Sequence, residues 1–280
     1  MERIYVLKTY KLFIGGAFPR SESGRVYAVK DFKGKHLANT CQASRKDLRD
    51  AVVSARSAFP GWSGATAYNR GQILYRMAEI LEGRTDQFIA EISALEGANP
   101  KAAALQVEES IDLLIWYAGW SDKISALDGS TNSVSGPFYN FTIPEPIGVV
   151  AVFAAAKPSL LNLVGAIASV ITSGNTAVMV ASEKFPLPAI SFAECMATSD
   201  LPAGVVNILT GVSSELAPWA ASHMDIDAID AAGLSPKVLK EAQIAGVGNL
   251  KRIKTPPNIK SPKRILDFME SKTVWHPIGI

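Results

Sequence analysis

A chain of 280 residues with 48% hydrophobic and 19% charged side chains can bury a substantial core, which excludes an intrinsically disordered protein. Its length corresponds to about two domains of roughly 150 residues. The formal net charge is only +2, although residues 231–280 carry nine Lys or Arg and three Asp or Glu. Neither aromatic interleaving nor a recognition motif accompanies this basic segment, so no nucleic-acid partner is expected.

Two cysteines are too few for a disulfide framework or a cysteine-rich metal site, which favours a reducing, cytoplasmic setting. Cys195 has apolar neighbours in a helical pattern and is expected in the core, whereas Cys41 lies among polar residues and is expected at the surface. The histidines have no metal-ligand spacing, so no metal is expected. The most apolar run, residues 147–156, is much shorter than the ~20 residues that span a bilayer, so no membrane association is expected.

The first half of the chain predicts short strands followed by helices. Residues 12–40 contain apolar runs separated by turn residues, which is typical of strands. A capping-box variant at residues 44–47 marks the start of the first helix, and Pro60-Gly61 marks its end. The second helix places five residues on one apolar stripe: Ile73, Leu74, Met77, Ile80 and Leu81. Two further helices are predicted over residues 85–96 and 107–118.

Strand and helix patterns alternate in the second half. The near-continuous apolar run at residues 147–153 is typical of a strand buried on both faces of a parallel sheet. Further strands are predicted at 176–180, 205–209 and 225–229, with helices at 160–171, 188–198 and 213–222 between them. This alternation predicts a doubly wound α/β layer.

Two extended segments lie outside that alternation. A strand rich in β-forming residues is predicted at 138–143. A proline-rich stretch, residues 255–262, cannot continue a helix or a central strand. It leads to a short helix at 263–270 and a terminal strand at 271–275.

Several of these segments resemble one known family. Phe59-Pro-Gly-Trp-Ser-Gly and Trp116-Tyr-Ala-Gly-Trp are similar to the N-terminal helices of aldehyde dehydrogenases. Glu145-Pro-Ile-Gly-Val-Val, Ser173-Gly-Asn-Thr and Leu201-Pro-Ala-Gly-Val-Val-Asn-Ile-Leu-Thr-Gly are similar to their coenzyme domain. The resemblance runs in order over roughly residues 10–255. It implies an α/β fold with an N-terminal helical layer, a Rossmann-like doubly wound parallel sheet and a small β oligomerisation extension.

The resemblance also implies a division of the chain into four parts. These are strands and helices of the coenzyme-type domain (1–129), an oligomerisation strand (130–144), a Rossmann-like α/β portion (145–255), and a proline-rich link with a C-terminal oligomerisation strand (256–280).

The sequence departs from the family where the chemistry is expected. Lys157 stands where the family has the Asn that donates to the oxyanion, so a fixed amide is replaced by a mobile cation. Val180 stands where a Lys holds the adenosine ribose, and it has no donor. Pro256 stands at the general-base Glu and has no titratable group. Glu183, the family's ribose-facing acid, is retained.

The phosphate loop departs as well. Its Gly233 is retained, but Leu234 and Val238 replace a Ser and a Gly that allow close approach to the pyrophosphate. We therefore expect no catalytic residues, no bound cofactor and at most weak NAD binding, with Glu183 and Gly233 as vestiges of a cofactor site.

Family members extend well beyond this length, and their catalytic domain with its Cys nucleophile lies there. The ending Glu270-Ser-Lys-Thr-Val-Trp instead resembles the family's own C-terminal strand, as if the catalytic domain were deleted between two retained parts. This pattern resembles the inactive second module of tandem aldehyde dehydrogenases. Strands that the resemblance places at a subunit boundary contribute the interface candidates Phe138, Phe141, Val274 and Trp275.

These observations favour a non-catalytic aldehyde dehydrogenase-like subunit or module that docks with an active aldehyde dehydrogenase, with itself, or with both. Two alternatives stay open. One is an NAD(P)-dependent aldehyde oxidoreductase that uses Lys157 or Cys195 in an unconventional mechanism. The other is a module that binds NAD without turnover.

Overall fold

The computed structural model describes residues 7–256 and 259–279. It begins with a small sheet in the order β1-β3-β2. Its strands are β1 (Thr9–Tyr10), β2 (Val26–Lys30) and β3 (His36–Cys41). A helical layer follows, made of α1 (Arg45–Ser63), α2 (Ala67–Glu82), α3 (Thr85–Glu96), α4 (Pro100–Ala118) and α5 (Ile124–Asp128).

Several helix boundaries follow local signals in the sequence, although the predicted stop at Pro60-Gly61 is wrong, since α1 continues through it to Ser63. The capping box at the start of α1 is confirmed, because the Ser44 hydroxyl accepts from the Asp47 amide while the Asp47 carboxylate accepts from the Ser44 amide. Helix α3 ends at Gly97, whose φ of 72° is the left-handed conformation that glycine adopts without strain. Four of the five residues of the predicted stripe on α2 are buried: Ile73, Leu74, Met77 and Leu81.

The central sheet has five parallel strands in the order β10-β9-β6-β7-β8. They are β6 (Val149–Phe153), β7 (Thr176–Val180), β8 (Val206–Leu209), β9 (Ala228–Asp230) and β10 (Arg252–Lys254). The helices between them are α6 (Ser159–Thr172), α7 (Leu187–Met196), α8 (Ser213–Ser222) and α9 (Pro236–Gly246). The predicted doubly wound layer is confirmed. Strand β10 was not predicted.

Both faces of this sheet are covered. Along β6, Val150 and Val152 belong to the core beneath α2, α4 and α6, while Val149, Ala151 and Phe153 belong to the core beneath α1, α8 and α9. The free side of β8 is partly closed by the main chain of Phe13, which exchanges hydrogen bonds of 2.8 and 2.7 Å with Ile208. In the part of the chain that the structure describes, no helix is both long enough and apolar enough to cross a membrane.

A second small sheet projects from this core, in the order β11-β5-β4. Its strands are β4 (Ser130–Asn132), β5 (Phe138–Pro146) and β11 (Met269–Pro277). Strands β5 and β11 are antiparallel and pair over nine residues, from Met269 opposite Pro146 to Pro277 opposite Phe138. The short helix α10 (Pro262–Leu266) comes just before β11. The terminal strand is thus longer than the predicted residues 271–275, and the predicted helix at 263–270 is shorter.

Candidate dinucleotide and catalytic site

From β6 the chain adds β7 and β8 on one side of the central sheet, and it then crosses over to add β9 and β10 on the other side. The order of the strands therefore reverses between the neighbours β6 and β9. Ligands of such folds bind at the carboxyl ends of the strands that flank this point. Here the loop that follows β9 contacts the end of β6. The Gly233 amide donates to the Phe153 carbonyl over 2.9 Å. A Cβ at position 233 would clash with the Ala154 carbonyl oxygen, so only glycine fits. Gly233 thus brings its loop directly against the end of β6.

The residues after Gly233 make this loop apolar. Leu234 is partly buried against the core beneath α9, and Val238 is 9% exposed. The side chain of Ser235 caps α9 by accepting from the Val238 amide at 3.5 Å. The first turn of α9, where a phosphate would approach free amides, therefore carries a side-chain cap and two apolar side chains.

A buried ion pair lies at the end of β9. The Arg264 guanidinium donates to the Asp230 carboxylate over 2.5 Å, and the two side chains are 3% and 0% exposed. The Asp230 carboxylate also accepts from the Ala232 amide at 3.1 Å. Burial raises the pKa of Asp230, and the charge of Arg264 opposes that shift. No sequence pattern predicted this pair, since nothing local links a strand-end Asp to an Arg 34 positions later.

Glu183 is committed to a helix terminus. Its carboxylate accepts from the backbone amide of Ser213 over 2.5 Å, at the first residue of α8. The N-cap residue of that helix is Val212, which offers no side-chain acceptor. A carboxylate also interacts favourably with the positive end of a helix. The acid that the resemblance assigns to ribose binding is therefore a capping group here.

Replacing Glu183 by Ala should lower the free energy of unfolding by about 1 kcal/mol, the usual loss of a helix cap. Glu183→Gln, which keeps an acceptor oxygen but no charge, should lose less. Urea titration followed by circular dichroism measures both. The matched control is Lys184→Ala, an exposed neighbour without a hydrogen-bond or ion-pair partner among the described residues, which should change stability by less than about 0.5 kcal/mol. Equal losses in the Ala variants at 183 and 184 would contradict the capping role.

Lys157 is held by neighbouring groups. Its ammonium donates to the Glu96 carbonyl over 2.8 Å and lies 4.9 Å from the centre of the Phe185 ring. It borders a groove of about 700 Å³ beside β2, away from Cys195 on α7. Lys157 and Cys195, the alternative catalytic candidates, thus lie in different surroundings.

Both cysteines are buried. The expectation for Cys195 is confirmed, and burial raises the pKa of its thiol to about 11. The expectation for Cys41 is wrong: it is 1% exposed, because it ends the central strand of the first sheet and packs into the core beneath α1. Among the described residues, no group of three His, Cys, Asp or Glu could hold a metal ion. Pro256 is buried at the end of the described segment that follows β10.

The structure brings the interface candidates together in the second small sheet. Phe141 lies directly opposite Val274, and the rings of Phe138 and Trp275 meet edge to face with centres 5.8 Å apart. Phe138 is 40% and Trp275 58% exposed. Since Val274 and Trp275 are adjacent in a strand, the two clusters lie on opposite faces, and both faces carry accessible apolar groups.

The aldehyde dehydrogenase family model matches residues 18–271. Retinal dehydrogenase 2 of Mus musculus is 35% identical over 267 residues, which cover 92% of this chain and 50% of that protein. The cytosolic 10-formyltetrahydrofolate dehydrogenase of Xenopus tropicalis is 32% identical over 262 residues, covering 90% of this chain and 29% of that protein. The NAD⁺ complex of an aldehyde dehydrogenase from Bacillus cereus superposes with a TM-score of 0.82 at 26% identity, covering 88% of this chain and 50% of that one. The chain spans about half the length or less of these proteins.

Proposed function

This chain belongs to the aldehyde dehydrogenase family, and we propose that it is a non-catalytic member that docks with an active aldehyde dehydrogenase subunit or module, or with a second copy of itself. The observation that carries the proposal is the second small sheet, in which β5 and β11 present accessible aromatic side chains and an open strand edge.

The state of the nucleotide crevice supports a non-catalytic role. Leu234 packs against the core, and the Asp230 carboxylate at the same edge of the sheet is paired with an Arg. Lys157 and Pro256 further replace the oxyanion donor and the base of the family pattern. Each change removes a different contribution to dinucleotide binding or hydride transfer.

The open edge supports docking. Within the described residues, β11 pairs with no strand other than β5, so its other edge is open beyond Met269, whose carbonyl accepts from the Arg252 side chain. Such an edge is a template for another strand unless it is covered. Strand addition satisfies these groups, and the alternating side chains supply specificity.

A second apolar surface lies around the end of α9. Ile244 and Val247, one helical turn apart, are 65% and 71% exposed. Met224 and Leu250, which border one groove, are 76% and 93% exposed. Monomeric proteins rarely leave several large apolar side chains exposed together, so this surface also fits a protein partner.

Phe141→Lys should weaken the assembly at least about tenfold in dissociation constant, because it places a charge among apolar interface groups. Sedimentation velocity at micromolar concentration measures the self-assembled form. Co-purification from native lysate, with mass spectrometry for aldehyde dehydrogenase peptides, measures the mixed form. Tyr68→Lys on α2 is the control for an added charge, since Tyr68 is an exposed aromatic residue outside the small sheet, whereas Phe141 is half-buried within it.

Circular dichroism must show that both variants keep the α/β core. A monomer at micromolar concentration that captures no aldehyde dehydrogenase would refute the docking proposal. An equal effect of the Tyr68 substitution would refute the assignment of the interface to the small sheet.

We also expect NAD to bind with a millimolar or weaker dissociation constant, about −4 kcal/mol at best. Leu234→Ser is the informative reversion, because it opens the loop without adding a charge. Val180→Lys is less suitable, since Val180 is 1% exposed in the core and a buried ammonium would destabilise the fold. Calorimetry measures the affinity. Micromolar binding by the unmodified chain would favour a nucleotide-binding module instead.

A further inference from the structure

The ion pair between Arg264 and Asp230 is unlike the others in the described residues. Its two side chains are almost completely buried, whereas every other described ion pair has both side chains at least one quarter exposed. Burying two charges costs desolvation energy, so such a pair is weak evidence for net stability, but it can fix one arrangement of the elements that carry it.

The pair joins three elements. Arg264 lies on α10, Asp230 ends β9, and the Arg264 Nε also donates to the Ser169 hydroxyl of α6 over 3.2 Å. The chain before α10 is held by the Tyr117 hydroxyl, which donates to the Ile259 carbonyl over 2.6 Å. Helix α10 therefore has one defined position on the core.

That position governs where β11 begins. Helix α10 ends at Leu266, so only Asp267 and Phe268 separate it from the strand. Phe268 is completely buried, and its carbonyl accepts from the Asn175 side chain over 2.7 Å. Two extended residues span at most about 7 Å, which leaves little freedom for the strand to slide.

The strands themselves specify their alignment weakly. Most residues of β5 are half-exposed and most residues of β11 are exposed. Register is strongly determined only where one face of a strand is buried, and it is prone to slip where neither face is. Contacts outside the small sheet therefore contribute to the alignment, among them the Arg252 guanidinium, which donates to the Asp267 and Met269 carbonyls over 3.4 and 2.7 Å.

We propose that the Arg264–Asp230 pair sets the register of β11 on β5, by holding α10 where Thr273 faces Thr142. In this alignment the Thr142 and Thr273 hydroxyls are 3.0 Å apart. The proposal concerns pairing within one chain and does not depend on the docking role.

Disulfide trapping tests it. The pair Thr142→Cys and Thr273→Cys reports the native register, and the pair Thr142→Cys and Ser271→Cys reports a two-residue slip that keeps the same face. With the ion pair intact, the native cross-link should exceed the slipped one by about tenfold or more, since register decides which cysteines meet. In the Asp230→Leu, Arg264→Met background, which replaces the pair by apolar groups, the two yields should fall within about threefold of each other.

The matched control is the exposed cross-strand pair Lys272–Glu145 in the same sheet, at 3.1 Å. Lys272→Gln with Glu145→Gln should leave the native preference intact. Yields are measured by peptide mass spectrometry on the monodisperse folded fraction. A second background, Asp230→Asn with Arg264→Gln, keeps hydrogen-bonding groups but no charge. It should also lower the ratio of the native cross-link yield to the slipped one.

A native preference retained in both uncharged backgrounds would overturn the proposal. The proposal would also be overturned if the control variant, Lys272→Gln with Glu145→Gln, raised the yield of the slipped cross-link by itself. If neither uncharged background folds, the pair is a general requirement for folding and the register role fails. The cross-links form within one chain and are measured without the Phe141 substitution, so their yields do not depend on docking and the two proposals fail separately.

Discussion

Assayed alone with NAD or NADP, the chain is expected to oxidise no aliphatic or aromatic aldehyde above the rate without protein. The only candidate thiol on α7, Cys195, is buried with a pKa raised to about 11, so only ~10⁻⁴ of it is thiolate at neutral pH. Lys157 is occupied by the Glu96 carbonyl and the Phe185 ring.

The assay follows NAD(P)H absorbance, with an active aldehyde dehydrogenase run in parallel as the positive control. Steady reduction that disappears in Lys157→Ala or Cys195→Ala would establish the unconventional oxidoreductase instead. Reduction that persists in both variants points to a contaminating enzyme, which a second purification step removes.

Arg264→Met is expected to lower the free energy of unfolding by about 3–5 kcal/mol at neutral pH, because it leaves the Asp230 charge buried without a partner. Protonation relieves that penalty. Burial already raises the pKa of Asp230, and removing Arg264 raises it further. A group whose pKa is higher in the folded state favours folding at low pH. The loss relative to the unmodified chain should therefore be smallest near pH 4 and grow as the pH rises toward neutral.

Urea unfolding at several pH values measures this dependence. Arg76→Met is the matched control, since it breaks an exposed pair with Glu79 and should cost less than about 1 kcal/mol at any pH. The double variant Asp230→Leu, Arg264→Met should recover most of the loss. A loss below about 1 kcal/mol for Arg264→Met would show that water or another group solvates Asp230.

The central fold could be predicted because its signals are local. The apolar run at β6 predicted a strand with two buried faces, and Val150 and Val149 do enter different cores. The capping box predicted where α1 starts. In each case the residues that determine the element are within a few positions of one another.

The remaining features depend on contacts between distant parts of the chain. Polar neighbours suggested that Cys41 is exposed, but its strand is central in the first sheet and the core covers it. The proline-rich stretch and the position of Arg264 gave no sign that a side chain from α10 reaches the end of β9. The retained Glu183 suggested a vestige of ribose binding, because the Ser213 amide 30 positions later is invisible to a local pattern.

The Glu183 carboxylate can be shared by two competing partners, the Ser213 amide and a ligand hydroxyl. A ligand hydroxyl that recruits Glu183 must displace the Ser213 amide and uncap the first turn of α8. Linkage is reciprocal, so a change that strengthens the Glu183–Ser213 contact itself weakens such a ligand by the same factor. Under the proposed non-catalytic role, a substitution that strengthens this contact would lower the affinity for such a ligand, and raising that affinity would require giving up part of the stability of α8.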